Sequence, residues 1–309
     1  MIAVLGECVA DAFADRRPGE LAMRVLPGGG PSNTAVALAR LGTPARFLGR
    51  LSDDVFGELF RERMAASGVD LSACVRAREP STLAVATLDA EGQARYSFHA
   101  EGTADWGWSA AELSADRLGG ASCLHTGSLA LVREPGAGAV AEFAGRAEAT
   151  VSIDPNVRPS LASREDYLSR MPQWCALADI LKLSADDLAF LMPDVSMVRA
   201  CELWHAAGTR LIVVTMGAAG ALVSMDGAVV TVPAEPVEVV DTIGAGDSFT
   251  AGLLHRLESR GLLGGRLDGL DLASAAEAAA FGATVAALTC AVAGADPPWA
   301  DQLISQPRP

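Results

Sequence analysis

Lysine is almost missing from this chain. Of the 24 basic side chains in 309 residues, Lys182 is the only lysine and the other 23 are arginines. Acidic residues number 38, which leaves a net charge of −14. No basic cluster interrupts that background, so neither nucleic acid nor an anionic membrane is expected as a partner. Cysteine is sparse and scattered: Cys8, Cys74, Cys123, Cys175, Cys201 and Cys290 show no C-x-x-C spacing. They read as reduced core thiols, not as a disulfide framework or a zinc site. Long apolar runs are absent too, since no stretch of about 18 residues is free of charge and glycine. Met1 to Leu5 leads straight into Gly6-Glu7 with no signal-peptide pattern. These absences together predict a soluble, cytoplasmic protein. Aromatic residues make up only 5%, but half of the chain is hydrophobic, enough for one large core or two smaller ones.

What the chain does carry is concentrated in two glycine-rich segments. The later one runs Asp241-Thr242-Ile243-Gly244-Ala245-Gly246-Asp247 into Ser248-Phe249-Thr250-Ala251-Gly252. Small residues at Gly244, Ala245 and Gly246 let backbone N–H groups converge on an anion where a helix opens, and the helix dipole points the same way. Asp247 stands beside that spot, where a carboxylate can take a proton from an attacking hydroxyl. The segment thus reads either as a phosphoryl-transfer site or as an ordinary Gly-capped helix with Asp247 complementing its dipole.

The earlier segment, Pro27-Gly28-Gly29-Gly30-Pro31-Ser32-Asn33, is a second glycine loop entering an Ala/Leu helix. Gly29 and Gly30 permit close backbone approach to a ligand, and Asn33 can both donate and accept. It is not a Walker loop, for no Gly-Lys-Ser/Thr follows. No strand is expected to run directly into it, which sets aside a dinucleotide fingerprint.

Between these segments, short apolar runs alternate with helical patterns, predicting β-α-β units and a mainly parallel sheet. Strands are expected at 2–5, 45–48, 151–153 and 211–214, and helices at 32–40, 57–66 and 273–288. A hairpin is expected at 221–232 around Asp226-Gly227. Lys182 ends an apolar strand, a place where ligands lie in such folds, so it is a phosphate-side residue or simply the last lysine left. Two stretches break the alternation. Residues 12–26 hold a Pro18-Gly19 turn, and residues 81–105 hold a second hairpin around 89–92. Trp106 and Trp108 follow it, either covering ligand or partner or packing beneath.

Taken together, the two glycine segments resemble the signatures of the PfkB-type carbohydrate kinases, the ribokinase-like family. Gly6-Glu7, Asp11, Asp154-Pro155-Asn156-Val157-Arg158, Thr215-Met216-Gly217-Ala218-Ala219-Gly220 and Gly294-Ala295 extend the resemblance over nearly the whole chain. Within the family the fructokinase-type members look nearest. The resemblance implies one ribokinase-like α/β domain over 1–309, with a β-lid built from the two insertions. It implies an ATP-dependent kinase acting on a primary hydroxyl of a fructose-like monosaccharide, with Mg2+ and a homodimer through the lid. Asp247 would be the base and Gly244, Ala245 and Gly246 the anion hole. Asp11, Gly29, Gly30, Asn33 and Arg158 would bind sugar. Lys182, Ser184, Thr215, Gly217, Gly220 and Gly246 would hold the nucleotide. Asp187 would reach magnesium through water, or else serve as a helix N-terminal charge with Asp186. Asp241 and the Ile243 backbone would hold a monovalent cation such as K+. Glu7 is left as a polar contact or a partner for an arginine. Departures from the pattern are Ser52 before Asp53-Asp54, Ser184 and Asp187 in place of Asn and Glu, Ala283 on the adenine side, and Ala100 where an arginine is usual. Other readings remain: a 2-keto-3-deoxygluconate or nucleoside kinase, or a non-catalytic sugar-binding regulatory protein.

Overall fold

The computed structural model describes residues 1–88 and 94–304. In chain order its strands are β1 (Ile2–Leu5), β2 (Val9–Arg17), β3 (Glu20–Gly28), β4 (Ala45–Leu48), β5 (Arg50–Ser52), β6 (Val75–Ala77), β7 (Thr82–Leu88), β8 (Ala94–His99), β9 (Cys123–Gly127), β10 (Thr150–Asp154), β11 (Ile180–Ser184), β12 (Leu211–Thr215), β13 (Ala221–Met225) and β14 (Ala228–Val232). The helices are α1 (Gly30–Arg40), α2 (Val55–Ala66), α3 (Ala137–Gly145), α4 (Arg164–Leu177), α5 (Ala185–Leu191), α6 (Met197–Ala206), α7 (Ala245–Ser259), α8 (Leu272–Cys290) and α9 (Ala300–Ile304).

The main sheet runs β14-β13-β12-β11-β10-β9-β1-β4. From β12 to β4 its neighbours pair in parallel, and β13 and β14 add an antiparallel edge. Parallel strands covered on both faces must be apolar at every position, not at alternate ones. β1 (IAVL) is accordingly buried throughout. Alternate residues feed two separate layers: Val213 packs with Ala275, Ala279 and Leu253 on one face, while Ile212 and Val214 pack with Trp174 and Leu188 on the other. The turn joining β13 to β14 puts Asp226 at φ 48° and Gly227 at φ 89°, the left-handed pair that a two-residue hairpin prefers. α8 is long and apolar enough to cross a membrane by length and composition, but it contributes Ala275, Ala278, Ala279, Ala283 and Val285 to the core.

A second sheet, β3-β2-β7-β8, stands apart from the first. β2 pairs antiparallel with β3 and parallel with β7, and β8 returns antiparallel along β7. The connection expected around 89–92 falls outside the described residues. Two sequence expectations change here. The lid strand β2 begins at Val9, so Asp11 belongs to the lid and not to the loop after β1. β3 does run directly into the glycine loop and α1. It is an antiparallel lid strand, however, not the first strand of a parallel β-α-β unit. Trp106 and Trp108 are 3% exposed each. Trp106 Nε1 donates to the Ala100 carbonyl at 2.9 Å, and Trp108 packs into the core cluster of the body with Leu48, Leu113 and Val140.

Candidate active site

Register brings the lid's contribution together. Asp11 pairs with Ala84 on β7, and Ala84 pairs with Phe98 on β8. Paired residues share a face, so Asp11 and Phe98 look the same way, as do Val9 and its partner Thr82. All four line a cavity of 330 Å³ whose other walls include Glu7, Gly30, Asn33, Arg158 and Asp247. The parallel strands end at its floor: Glu7 follows β1, Ser128 follows β9, and Asn156 and Arg158 follow β10. Those are the carboxyl ends, where ligands sit in sheets of this kind.

The first glycine loop is held tightly. Ser32 Oγ donates back to the carbonyls of Gly28 at 2.7 Å and Gly29 at 3.0 Å, and Arg63 donates to the carbonyls of Pro27 and Ala295. Gly30 is required for space, since a Cβ there would lie 2.5 Å from Asn156 Nδ2 and 3.1 Å from Asp247 Oδ1. Asn33, in the first turn of α1, donates through Nδ2 to Asp247 Oδ2 at 2.9 Å. Its Oδ1 is buried with no protein partner.

Asp247 sits in the first turn of α7, capped by Gly244 in the left-handed region at φ 77°. A side chain at Gly244 would meet Ala295 Cβ at 2.6 Å, and glycine offers no capping oxygen. Ala245 N–H turns to the Thr242 carbonyl at 3.3 Å. The amides of Gly246 and Asp247 are then first-turn donors with no helical acceptor. Desolvation raises the Asp247 carboxyl above its ordinary range, and the Asn33 hydrogen bond with the Lys182 and Arg158 charges pull it back. Nearby, desolvation lifts Asp11 to about 6, opposed by Arg158 and Arg63. Glu7 is lifted to about 7, chiefly by burial and further by Asp105. Its Oε2 has no partner. Asp105 accepts from Cys8 N–H at 2.9 Å and Thr82 Oγ1 at 2.6 Å.

A second cavity, 570 Å³, opens on the other side of the Thr242–Gly246 turn. Thr215, Gly217 and Gly220 stand at one end, and Val237, Val239, Phe249 and Ala283 supply an aliphatic and aromatic wall. The two cavities share Thr242 and Gly246. A flat apolar-faced ring fits the larger one, a polyhydroxylated molecule fits the smaller, and an anion bridging them would meet the open amides of α7.

Several predicted residues stand apart from this arrangement. Lys182 is buried and reaches neither cavity, because its Nζ donates to Asp154 Oδ2 at 2.8 Å. Ser184 caps α5 in a reciprocal box with Asp187. Asp187 Oδ2 accepts from Ser184 N–H and Oγ at 2.9 and 2.7 Å, and Oδ1 accepts Val157 N–H at 3.0 Å. That is the helix-terminal arrangement, and it leaves Asp187 little capacity for a metal. Among the described residues no group of three His, Cys, Asp or Glu is placed to hold a metal ion. Asp241 accepts from Ile243 N–H at 3.1 Å and Gly294 N–H at 2.8 Å, tying the catalytic turn to the C-terminal loop. Missed by sequence reasoning were Asn156, Ser128, Phe98, Arg63 and Asp105. Of these only Asn156, inside a quoted motif, carried a local signal.

The chain matches the pfkB family of carbohydrate kinases over residues 1–302. It is 38% identical over 269 residues to a fructokinase of Rhizobium leguminosarum bv. trifolii, covering 85% of this chain and 81% of that protein. The fructokinase of Xylella fastidiosa, solved with bound ATP, superposes with a TM-score of 0.90 at 29% identity, over 98% and 97% of the two chains. An aminoimidazole riboside kinase from Salmonella enterica, solved with its riboside and an ATP analogue, gives 0.82 at 28% identity over 98% of each chain.

Proposed function

The chain belongs to the pfkB family of carbohydrate kinases, and from that premise we propose that it transfers the γ-phosphate of ATP to a primary hydroxyl of fructose or a close neutral ketose. The observation that carries this reading is the position of Asp247. Its carboxylate, anchored by Asn33, lines the smaller cavity one residue beyond Gly246, which borders both that cavity and the larger one suited to a nucleotide. The sugar lies in the smaller cavity with vicinal hydroxyls on Asp11 and the acceptor hydroxyl toward Asp247. Asp247 takes the hydroxyl proton as oxygen attacks phosphorus, and ADP leaves toward the larger cavity. The amides of Gly246 and Asp247 receive the charge on the transferring group, and Arg158 adds its planar fork. Thr215, Gly217 and Gly220 cradle the remaining phosphates of MgATP. A monovalent cation such as K+, beside Asp241 and the Ile243 backbone, would stiffen the turn.

The working unit is the single domain with its lid, in the cytoplasm. Leu21, Met23 and Tyr96, exposed on lid strands, suit a homodimer through that sheet. A nucleoside acceptor is the second reading, favoured by the superposition on the riboside kinase. ADP release across a panel of sugars, sugar acids and nucleosides tests all of these together. Turnover with fructose and loss of about 10²–10⁴-fold in kcat for Asp247→Asn, with ATP and sugar binding kept, are expected. Near-parental rates in that variant would remove Asp247 as the base.

The cavity also discriminates by charge. Glu7, Asp11 and Asp247 line it against Arg158, the one cation in its wall among the described residues. A sugar acid would bring a further carboxylate into this acidic enclosure. Like-charge juxtaposition costs several kcal/mol, so fructose should exceed 2-keto-3-deoxygluconate in kcat/KM by about tenfold or more. Preference for the acid would show that a further arginine enters the pocket.

A further inference from the structure

We propose that the Lys182–Asp154 pair is a positioning element for the reaction, in which the Lys182 ammonium, fixed behind Gly246, supplies positive charge on which the ionised form of Asp247 depends. This rests on the reading of Asp247 as the base. Lys182 is 4% exposed and Asp154 6%, and their ion pair measures 2.8 Å. A Cβ placed on Gly246 would stand 3.2 Å from Lys182 Nζ. Only the backbone of that glycine therefore separates the ammonium from the first turn of α7. The single N–H···O contact to Asp154 uses one of three ammonium protons. An ammonium is a compact point charge, whereas a guanidinium is a broad planar fork. The other 23 basic side chains of the chain are all arginine.

Asp154 works in two directions. Its Oδ1 accepts Asn156 N–H at 3.0 Å, which shapes the turn that puts Asn156 against Gly30. It also faces Asp247 across a 10 Å³ cavity that both residues line with Asn156 and His125, room for about one water. Left alone, Asp154 would disfavour charge on Asp247. Lys182 reverses that balance. The charged groups around Asp247 are Lys182 from β11, Asp154 from β10, Arg158 beyond β10, Asp11 from β2 and Arg63 from α2. His125, on β9, is pushed down to about 3 by burial and then by Lys182, so it stays neutral and adds no charge. Burial opposes the charge on Lys182, but Asp154, Asp247 and Asp187 together raise its affinity for the proton.

The test is the pH profile of kcat at saturating sugar and MgATP, where Asp11 is already occupied. Lys182→Met removes the charge and keeps the stem; Asp154→Asn removes the opposing carboxylate and keeps an acceptor for Asn156 N–H. The acid limb should move to higher pH in Lys182→Met, by on the order of one unit, and to lower pH in Asp154→Asn. The double variant removes both buried charges together, should regain most of the parental melting temperature, and should place its limb between the two. A limb fixed at the parental pH in both single variants, with kcat restored in the double, would reduce the pair to a structural ion pair. A shift in the same direction in both would overturn the proposal as well. Failure of the base reading is seen separately, as near-parental turnover in Asp247→Asn.

Discussion

At the scale of single residues, the site is defined by carboxylates that protein packing makes reluctant to ionise. Glu7 is the clearest case, 3% exposed and lifted from 4.5 to about 7. Below about pH 4.5 it is neutral in folded and unfolded chains and costs nothing. Above pH 7 it is charged in both but desolvated only when folded. Stability must therefore fall as pH rises through that window, by about 3 kcal/mol for a shift of this size. Glu7→Gln, neutral throughout, should match the parent in thermal melts near pH 4.5 and exceed it progressively up to pH 8. Equal pH dependence in the two proteins would mean that Glu7 ionises in the fold as it does in the unfolded chain. The turn that holds Asp247 and its glycines was legible in the sequence because those residues are contiguous. The state of Glu7 was not, because its neighbours Asp105, Ser128 and Arg158 come from three other parts of the chain.

At the scale of elements, the short helix α5 shows how a catalytic-looking motif can be a capping device. Ser184 and Asp187 close both halves of a capping box, and Asp187 also holds Val157 N–H after β10. Ser184→Ala should cost about 1 kcal/mol of stability, measured by denaturant unfolding. The same variant should leave kcat and the magnesium dependence within a few-fold of the parent. A steep change in the magnesium requirement would restore a metal role to this corner. The element pattern itself was largely readable: β1 and β4 fall at the expected residues, and α8 overruns its expected range by one or two residues at each end. Those segments carry their own periodicity or caps. The sheet to which a strand belongs is another matter. The three residues Gly6-Glu7-Cys8 carry the chain from β1 in the main sheet to β2 in the lid, and nothing in local composition marks a change of sheet.

At the scale of the whole molecule, the proposed sugar anchor, Asp11, lies on a separate sheet from the proposed base, Asp247. Asp11 and Phe98 belong to the lid; Asp247 and Arg158 belong to the body. A sugar that touches both is a tie between them, and such closure excludes water and completes a site. Fructose alone should slow amide hydrogen exchange in β2 and β7, with little change in tryptophan emission because Trp106 and Trp108 already lie in packed surroundings. Calorimetric binding with no protection of those strands would show that the lid does not move. The division of labour was half visible in the sequence, where two stretches broke the α/β rhythm. The placement of Asp11 on the lid sheet required the register of β2 against β7.

The wall shared by the two cavities has a further consequence, for economy. Thr242 and Gly246 border both compartments, so the acceptor compartment is open to whatever molecule occupies it when nucleotide is bound. Water there is a competing nucleophile, and nothing about Asp247 tells its proton from that of a sugar. On the proposed function, closure of the lid over sugar is what would guard ATP from idle hydrolysis, and a variant with a loosened lid is expected to spend nucleotide without making product.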